Sequence, residues 1–188
     1  VDVGRKLKII FPLFFSLPLS YSMSIEAFSI PFIGKVVVDS EIFEGILLED
    51  VIRFLFVPVY IMVVSNLVNM HSGYNGLQSG LSAILILTLL FKSIQEGIFE
   101  IVEVGVFFLG SIIGFLYYNF YPARAFEGNI GSLLYGSLIG CLIVVQQEWF
   151  FGFFILIPHT FNFLLWIFWL FQMKYNPSIY LISATTHQ

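Results

Sequence analysis

Long apolar runs separated by short polar segments set the pattern of this chain of 188 residues. A helix needs about 20 mostly apolar residues to cross a bilayer. Six runs approach that length: Ile9 to Met23, Val51 to Met70, Leu77 to Ser93, Ile101 to Phe120, Ile130 to Val145 and Trp149 to Phe171. The first is short and marked by Pro12 and Pro18, and the second contains Pro58. Between them, Phe28 to Ser40 reads FSIPFIGKVVVDS, whose Pro, Gly and β-branched run Val36 to Val38 predict a short hairpin; an irregular loop is the equal alternative. Gly136 and Gly140 give the fifth run a GxxxG spacing, which permits close approach of another helix. The fold class that follows is an all-α polytopic membrane protein, with about six transmembrane helices and a short extracytoplasmic β-hairpin. Residues 1–188 form a single membrane domain in this reading.

Composition agrees with the pattern. Hydrophobic residues make up 59% of the chain and charged residues 11%, where a soluble domain carries about 25% charged. The soluble classes are thereby excluded. Cys141 is the single cysteine, so no intramolecular disulfide forms. No cleavable signal pattern is legible after Arg5, Lys6 and Lys8. The chain opens at Val1 rather than at methionine, which reads as the C-terminal part of a longer protein.

Charge gives the orientation. With six spans, the N-terminus, the 65–80 loop, the 119–129 loop and the C-terminal tail share one side. That side carries Arg5, Lys6, Lys8, Arg124 and Lys174 against Asp2 and Glu127. The other carries Glu26, Asp39, Glu41, Glu44, Glu49, Asp50, Glu96, Glu100, Glu103 and Glu148 against Lys35, Arg53 and Lys92. Positive residues mark the cytoplasmic side, so the two polar loops are expected to face the cytoplasm. The chain is then a multi-pass integral protein of a prokaryotic plasma membrane or of the endoplasmic reticulum, with a cytoplasmic active site.

Those two loops carry the candidate chemistry. Ser65 to Gly80, SNLVNMHSGYNGLQSG, is polar and glycine-rich between two apolar runs. Backbone that leaves helix at a bilayer edge must be satisfied by protein, water or ligand, and its amides and glycines suit a loop that wraps an oxygen-rich ligand. In Tyr117 to Gly136, Pro122 ends one helix, Arg124 adds positive charge, and Gly128, Asn129 and Gly131 open the next. Such a helix start can bind phosphate, or Asn129 can simply serve as its N-cap. Phe126 is apolar in a loop that meets water; it either anchors the loop or stacks on a flat ring. His71 and His159 read as local hydrogen-bonding residues, with no further histidine at metal spacing.

These residues carry a resemblance. Asn66-Leu-Val-Asn69, followed by Gly73-Tyr-Asn75-Gly76-Leu77 and Gly80, resembles the NxxNxxxGxNGLxxG motif of the polyprenyl-phosphate N-acetylhexosamine-1-phosphate transferases. Asn119-Phe-Tyr-Pro122-Ala-Arg-Ala-Phe126-Glu-Gly128-Asn129 resembles the NxxPxxxFxGD motif of the same family. Pro158-His-Thr-Phe161-Asn162-Phe163 is similar to the PxxFNF stretch of its dolichyl-phosphate GlcNAc-1-phosphotransferase branch, found in eukaryotes and archaea. Lys8, followed by Ile-Ile-Phe-Pro12, matches a lysine before an apolar stretch ending in proline. The four matches occur in family order and cover nearly the whole chain.

The resemblance implies transfer of a sugar-1-phosphate from a UDP-sugar to a polyprenyl or dolichyl phosphate. UMP is released, and a lipid-linked diphosphate sugar remains, the first membrane step of lipid-linked oligosaccharide synthesis. It implies Mg2+ as cofactor and membrane lipids as surroundings, and no nucleic acid partner. Asn69 and Asn129 are the implied metal-ligating residues. Asn75 would hydrogen-bond the uracil and Phe126 would stack on it, with Lys8 and Arg124 meeting phosphate. Asp2 and Lys8 are the implied catalytic residues, Asp2 standing where the last acidic residue of the family's DDxxD motif falls. The aspartate pair of that motif would precede Val1, so an N-terminal half, or a second copy in a homodimer, is an implied partner. The chain also departs from the pattern: Asn129 stands where the family has a metal-binding aspartate, and the family's Arg- or His-rich sugar loop is not recognisable in Gln172 to Gln188. These departures leave an inactive fragment or degenerate paralogue as the rival reading. A small transporter is the other, and it lacks the mid-span charges of a relay.

Overall fold

A computed structural model describes residues 5–25, 27–30, 33–38, 41–43, 46–71 and 73–175. It is almost wholly helical: α1 Arg5–Ser22, α2 Leu48–Val51, α3 Val57–Asn69, α4 Leu77–Glu96, α5 Phe99–Asn119, α6 Gly128–Val145, α7 Trp149–Ile155 and α8 Ile157–Tyr175. The expected hairpin is present as β1 Ala27–Ile30 and β2 Gly34–Val37, antiparallel, with Ala27 opposite Val37 and Ile30 opposite Gly34. A second small pair, β3 Glu41–Phe43 and β4 Ile46–Leu47, follows it; three and two residues are too few to show an alternating pattern in sequence.

Among the described residues the spans number fewer than the six expected. Four helical stretches there are long and apolar enough to span a membrane: Leu48–Asn69, Leu77–Glu96, Phe99–Asn119 and Gly128–Val145. A fifth arises if α7 and α8 count as one span bent by 62°. The break has a cause in sequence. Pro158 has no N–H to give the carbonyl of Phe154, and its ring crowds that carbonyl, so the run expected as one helix over Trp149 to Phe171 divides at Leu156. At the other end of the chain, Leu7–Ser22 is apolar but shorter than the four. Pro58 acts on the second span more gently. The turns before it widen into a π-helix, Ile52–Phe56, which joins α2 to α3 without ending the span.

Two hydrophobic clusters fill the interior. One joins Val64 and Val68 of α3 to Ile86 and Leu89 of α4, Ile112 of α5, and Ile139 and Ile143 of α6. The other lies toward the strands and joins Ile25, Val38, Val57, Ile61, Val144 and Trp149. At that end Arg53 and Lys92 are paired. Arg53 donates to the Ser20 and Tyr21 carbonyls at 3.1 and 2.7 Å and to Glu49 at 3.4 Å, closing the C-terminus of α1. Lys92 pairs with Glu96 and with Glu148 at 3.4 Å, holding α4 to the α6–α7 turn.

The closest helix contact is α3 against α6, and it uses the GxxxG spacing. A Cβ on Gly136 would stand 2.6 Å from the Cα of Ser65, and one on Gly140 would stand 3.2 Å from the Cα of Ile61. The contact is also hydrogen-bonded: Ser65 Oγ donates to the Leu133 carbonyl at 2.9 Å, and Ser137 Oγ donates to Ser65 Oγ at 3.0 Å. Gly110 of α5, by contrast, has open space where its Cβ would be. We therefore expect Gly136→Ala to destabilise the protein by about 1–3 kcal/mol, because backbone rather than a flexible side chain must move. Gly110→Ala should leave it as stable or slightly more so. Thermal unfolding of both variants in one detergent checks this; equal midpoints would refute the close crossing.

Candidate functional site

α3 ends at Asn69, α4 begins at Leu77, α5 ends at Asn119 and α6 begins at Gly128. The loops 70–76 and 120–127 therefore emerge at the same end of the bundle, opposite the strands. Hydrogen bonds lace them together. Asn119 is fully buried. Its Oδ1 accepts from the Gly76 N–H at 2.9 Å and lies 3.1 Å from Ser79 Oγ, while its Nδ2 donates to the Ala125 carbonyl at 2.8 Å. Glu127 joins the same cluster: Ser79 Oγ donates to its Oε1, and Asn119 Nδ2 lies 3.5 Å from its Oε2. Gly76 is left-handed at φ 72° with Phe120 against it, a turn that a side chain would strain.

A second link joins α3 to α6. Ser132 is fully buried, and its hydroxyl donates toward Asn69 Oδ1, with the Gly128 and Asn129 carbonyls 2.8 and 3.1 Å from the same oxygen. Asn69 thus meets α6 at Ser132, one turn beyond Asn129. Asn66, one turn earlier, donates to its own helix at Met62 and across to the Ile9 carbonyl of α1 at 3.1 Å. That bond places half-buried Lys8, next to Ile9, at this end.

The remaining expected residues line the outside of the end. Asn75, Arg124 and Asn129 are exposed, and Phe126 is 59% exposed. Arg124 is held by its backbone, whose N–H donates to the Tyr118 carbonyl at 2.8 Å. Asn129 is not the N-cap of α6. Glu127 occupies the cap position and no side chain caps the helix there, because the Glu127 carboxylate is turned to Ser79 and Asn119. Asp2 lies outside the described residues. Asn119, Ser79, Ser132 and Glu127 were not singled out by sequence reasoning; Asn119 opens the second motif, which was the signal for it.

The donor set bears on magnesium. Mg2+ takes oxygen ligands and is usually held by one or two carboxylates plus substrate phosphates. Among the described residues no group of three or more His, Cys, Asp or Glu could hold a metal. The side-chain oxygens here are the neutral amides of Asn69 and Asn129 and the carboxylate of Glu127, and both Asn69 and Glu127 already accept a serine hydroxyl. This set fits an ion that arrives with phosphate oxygens, not one held by these residues alone.

His71 follows the end of α3. Burial holds its pKa below the ordinary histidine value, and the Leu67 carbonyl acts weakly the other way. Its ring lies against that of His159 in α8, centroids 4.3 Å apart.

Asn119 can be tested as the lace between the loops. Asn119→Ala orphans the buried Gly76 N–H and should cost about 1–3 kcal/mol. Hydrogen exchange at Gly76 should accelerate. Asn119→Asp keeps the acceptor for Gly76 but brings a second carboxylate to Glu127, so the 124–127 segment should loosen more than Gly76 does. Unchanged exchange at both places in both variants would show that the loops are held by something else.

Comparison with known proteins matches this chain to a family. The model of Glycosyl transferase family 4 matches residues 1–147. Among relatives, a protein of Sulfolobus acidocaldarius, provisionally named a UDP-N-acetylglucosamine–dolichyl-phosphate N-acetylglucosaminephosphotransferase, is 33% identical over 87% of this chain and 48% of its own length. The phospho-N-acetylmuramoyl-pentapeptide-transferase of Enterococcus faecalis is 34% identical over 50% of this chain and 30% of its own length. A Bacillus subtilis protein, provisionally named an undecaprenyl-phosphate N-acetylglucosaminyl 1-phosphate transferase, is 31% identical over 66% of this chain and 32% of its own length. The chain spans about half or less of the length of these relatives. With its apolar spanning helices and a family match that covers both laced loops, the chain is an integral membrane protein belonging to Glycosyl transferase family 4.

Proposed function

We propose that this chain provides the nucleotide-binding end of an enzyme that transfers N-acetylglucosamine-1-phosphate from UDP-N-acetylglucosamine to a polyprenyl or dolichyl phosphate. The observation that carries the reading is the lacing of the two motif-bearing loops through Asn119, with Asn69 held against α6 by Ser132. In the reaction a phosphate oxygen of the lipid attacks the β-phosphorus of the UDP-sugar. The bond to the bridging oxygen breaks, UMP leaves, and a lipid diphosphate sugar forms. Phosphoryl transfer of this kind depends mostly on positioning and charge neutralisation.

Each residue has a part in the proposal. Asn75 hydrogen-bonds the uracil edge and Phe126 stacks on its face; both are exposed at the loops and available to a ligand. Lys8 and Arg124 meet the phosphates. Lys8 and Asp2 act at the reacting end. Magnesium, when bound, screens the diphosphate charge, and Asn69 and Asn129 offer it neutral oxygens. The motif-bearing end faces the cytoplasm, following the excess of Arg and Lys there, and the single membrane domain is the C-terminal part of the working enzyme.

The test is UMP release from UDP-N-acetylglucosamine in membranes carrying the full-length protein, with polyprenyl phosphate and Mg2+. We expect Asn75→Ala to weaken UDP-sugar binding roughly tenfold, since a base edge loses its partner; undiminished nucleotide affinity would remove Asn75 from the site. Asn129→Asp should lower the Mg2+ concentration needed for half-maximal release, because it restores an anionic ligand. An unaltered magnesium titration would place the metal elsewhere, and uridine-independent solute flux in proteoliposomes without UMP release would favour transport.

A further inference from the structure

His71 and His159 are brought together from distant parts of the chain. His71 stands in the loop after α3, and His159 lies in the first turn of α8, immediately after the break at Leu156. His159 is 1% exposed. The ring centroids are 4.3 Å apart and the planes are tilted by 55°, so the rings meet at an angle and are not stacked. Neither nitrogen of His159 has a hydrogen-bond partner, and Nδ1 of His71 has none. Buried polar groups are paired as a rule, and an orphan points to an unseen water, an ion or a catalytic role. Here three imidazole nitrogens of two touching rings are orphaned.

A neutral imidazole presents one lone pair and one N–H. The lone pair of each ring is therefore free to meet a cation, with no hydrogen bond to Nδ1 of His71 or to either nitrogen of His159 competing for it. Imidazole suits Zn2+, Ni2+, Co2+ and Cu2+, whereas Mg2+ prefers hard oxygen. We propose that His71 and His159 form a two-imidazole site for a borderline divalent transition-metal ion, separate in ligand chemistry from the oxygen donors of Asn69 and Asn129, with water or an anion completing the coordination. Such an ion would tie the loop after α3 to the bent α7–α8 segment.

The probe is Zn2+ alone, added to the untagged full-length protein in detergent with excess Mg2+ present, in a His187→Ala background so that the tail histidine contributes nothing. Equilibrium dialysis should show a zinc site that magnesium does not displace. His159→Gln and His71→Leu should each weaken it at least about tenfold, the smaller loss seen even when only a supporting group of a metal ligand is removed. Circular dichroism and gel filtration confirm that the variants fold. Should either fail to fold, the Cu2+-loaded parent protein keeps the question open to decision: its electron paramagnetic resonance spectrum should show superhyperfine coupling to imidazole nitrogen. Zinc binding that magnesium abolishes, binding equal in folded variants and parent, or a copper spectrum with oxygen ligands only would each overturn the site. None of these outcomes depends on sugar transfer, so failure here is distinct from failure of the proposed enzyme activity.

Discussion

The approach of α3 to α6 sets where everything else in the candidate site can be. Lipid tails are as apolar as leucine, so burying apolar surface does little to drive helices together inside a bilayer; close packing and interhelical hydrogen bonds do it instead. α3 and α6 use both. Gly136 and Gly140 remove the side chains that would keep the backbones apart, and Ser65 bonds across to Leu133 and Ser137 at the point of closest approach. Along the same line toward the loops comes Asn69 on Ser132. The residue at the end of α3 and the start of α6 are therefore placed along the same line of contact that joins the helices. A shift in that crossing would move the loop after α3 relative to the start of α6.

The second constraint comes from the loops' own backbone. Non-helical chain near a membrane is tolerated where protein or water satisfies its polar groups. Asn119 does this for both loops at once, using its oxygen for Gly76 and its amide for Ala125, and Glu127 uses its carboxylate inward, on Ser79. The outward side chains, Tyr74, Asn75, Tyr121 and Phe126 among them, are left unburied on a scaffold tied from beneath. Buried ties below and exposed aromatic and amide groups above suit a flat, polar ligand.

Much of this was legible in the sequence, and the reasons for the rest are physical. The apolar runs of α3 to α6 gave their helices to within a few residues, because hydropathy reports directly on the bilayer. GxxxG at Gly136 and Gly140 foretold a close contact, though not its partner, which depends on tertiary packing. Pro158 was visible but its effect was not anticipated; a proline can be absorbed, as Pro58 is by the π-helix before it, or can divide a run, as at Leu156, and the apolar pattern is the same in both cases. Asn119 and Glu127 show the other limit. A buried asparagine at a helix end and an exposed one in a loop look alike in sequence, so the motif that Asn119 opens does not by itself reveal that Asn119 joins the loops. Asn129 was open to a capping role that Glu127 occupies instead, which only the backbone of the first turn decides.

The charge on this end of the bundle argues for an order of binding in the proposed reaction. Apart from Glu127, which is engaged by Ser79 and Asn119, the groups assigned to metal and substrate among the described residues are neutral amides, an aromatic ring, and the cations Lys8 and Arg124. Such a surface attracts a diphosphate more readily than a bare divalent cation. Two like charges brought close repel, and a cation approaching Lys8 and Arg124 with no anion in place gains nothing from Asn69 or Asn129 that water oxygen does not already give. A nucleotide that carries its own magnesium reverses the balance: phosphate oxygens meet the cations, and the amides need only fill coordination positions left by water. The neutral amide at position 129 fits the proposed reaction if metal and UDP-sugar enter as one species, or if an acid elsewhere in the working enzyme adds negative charge.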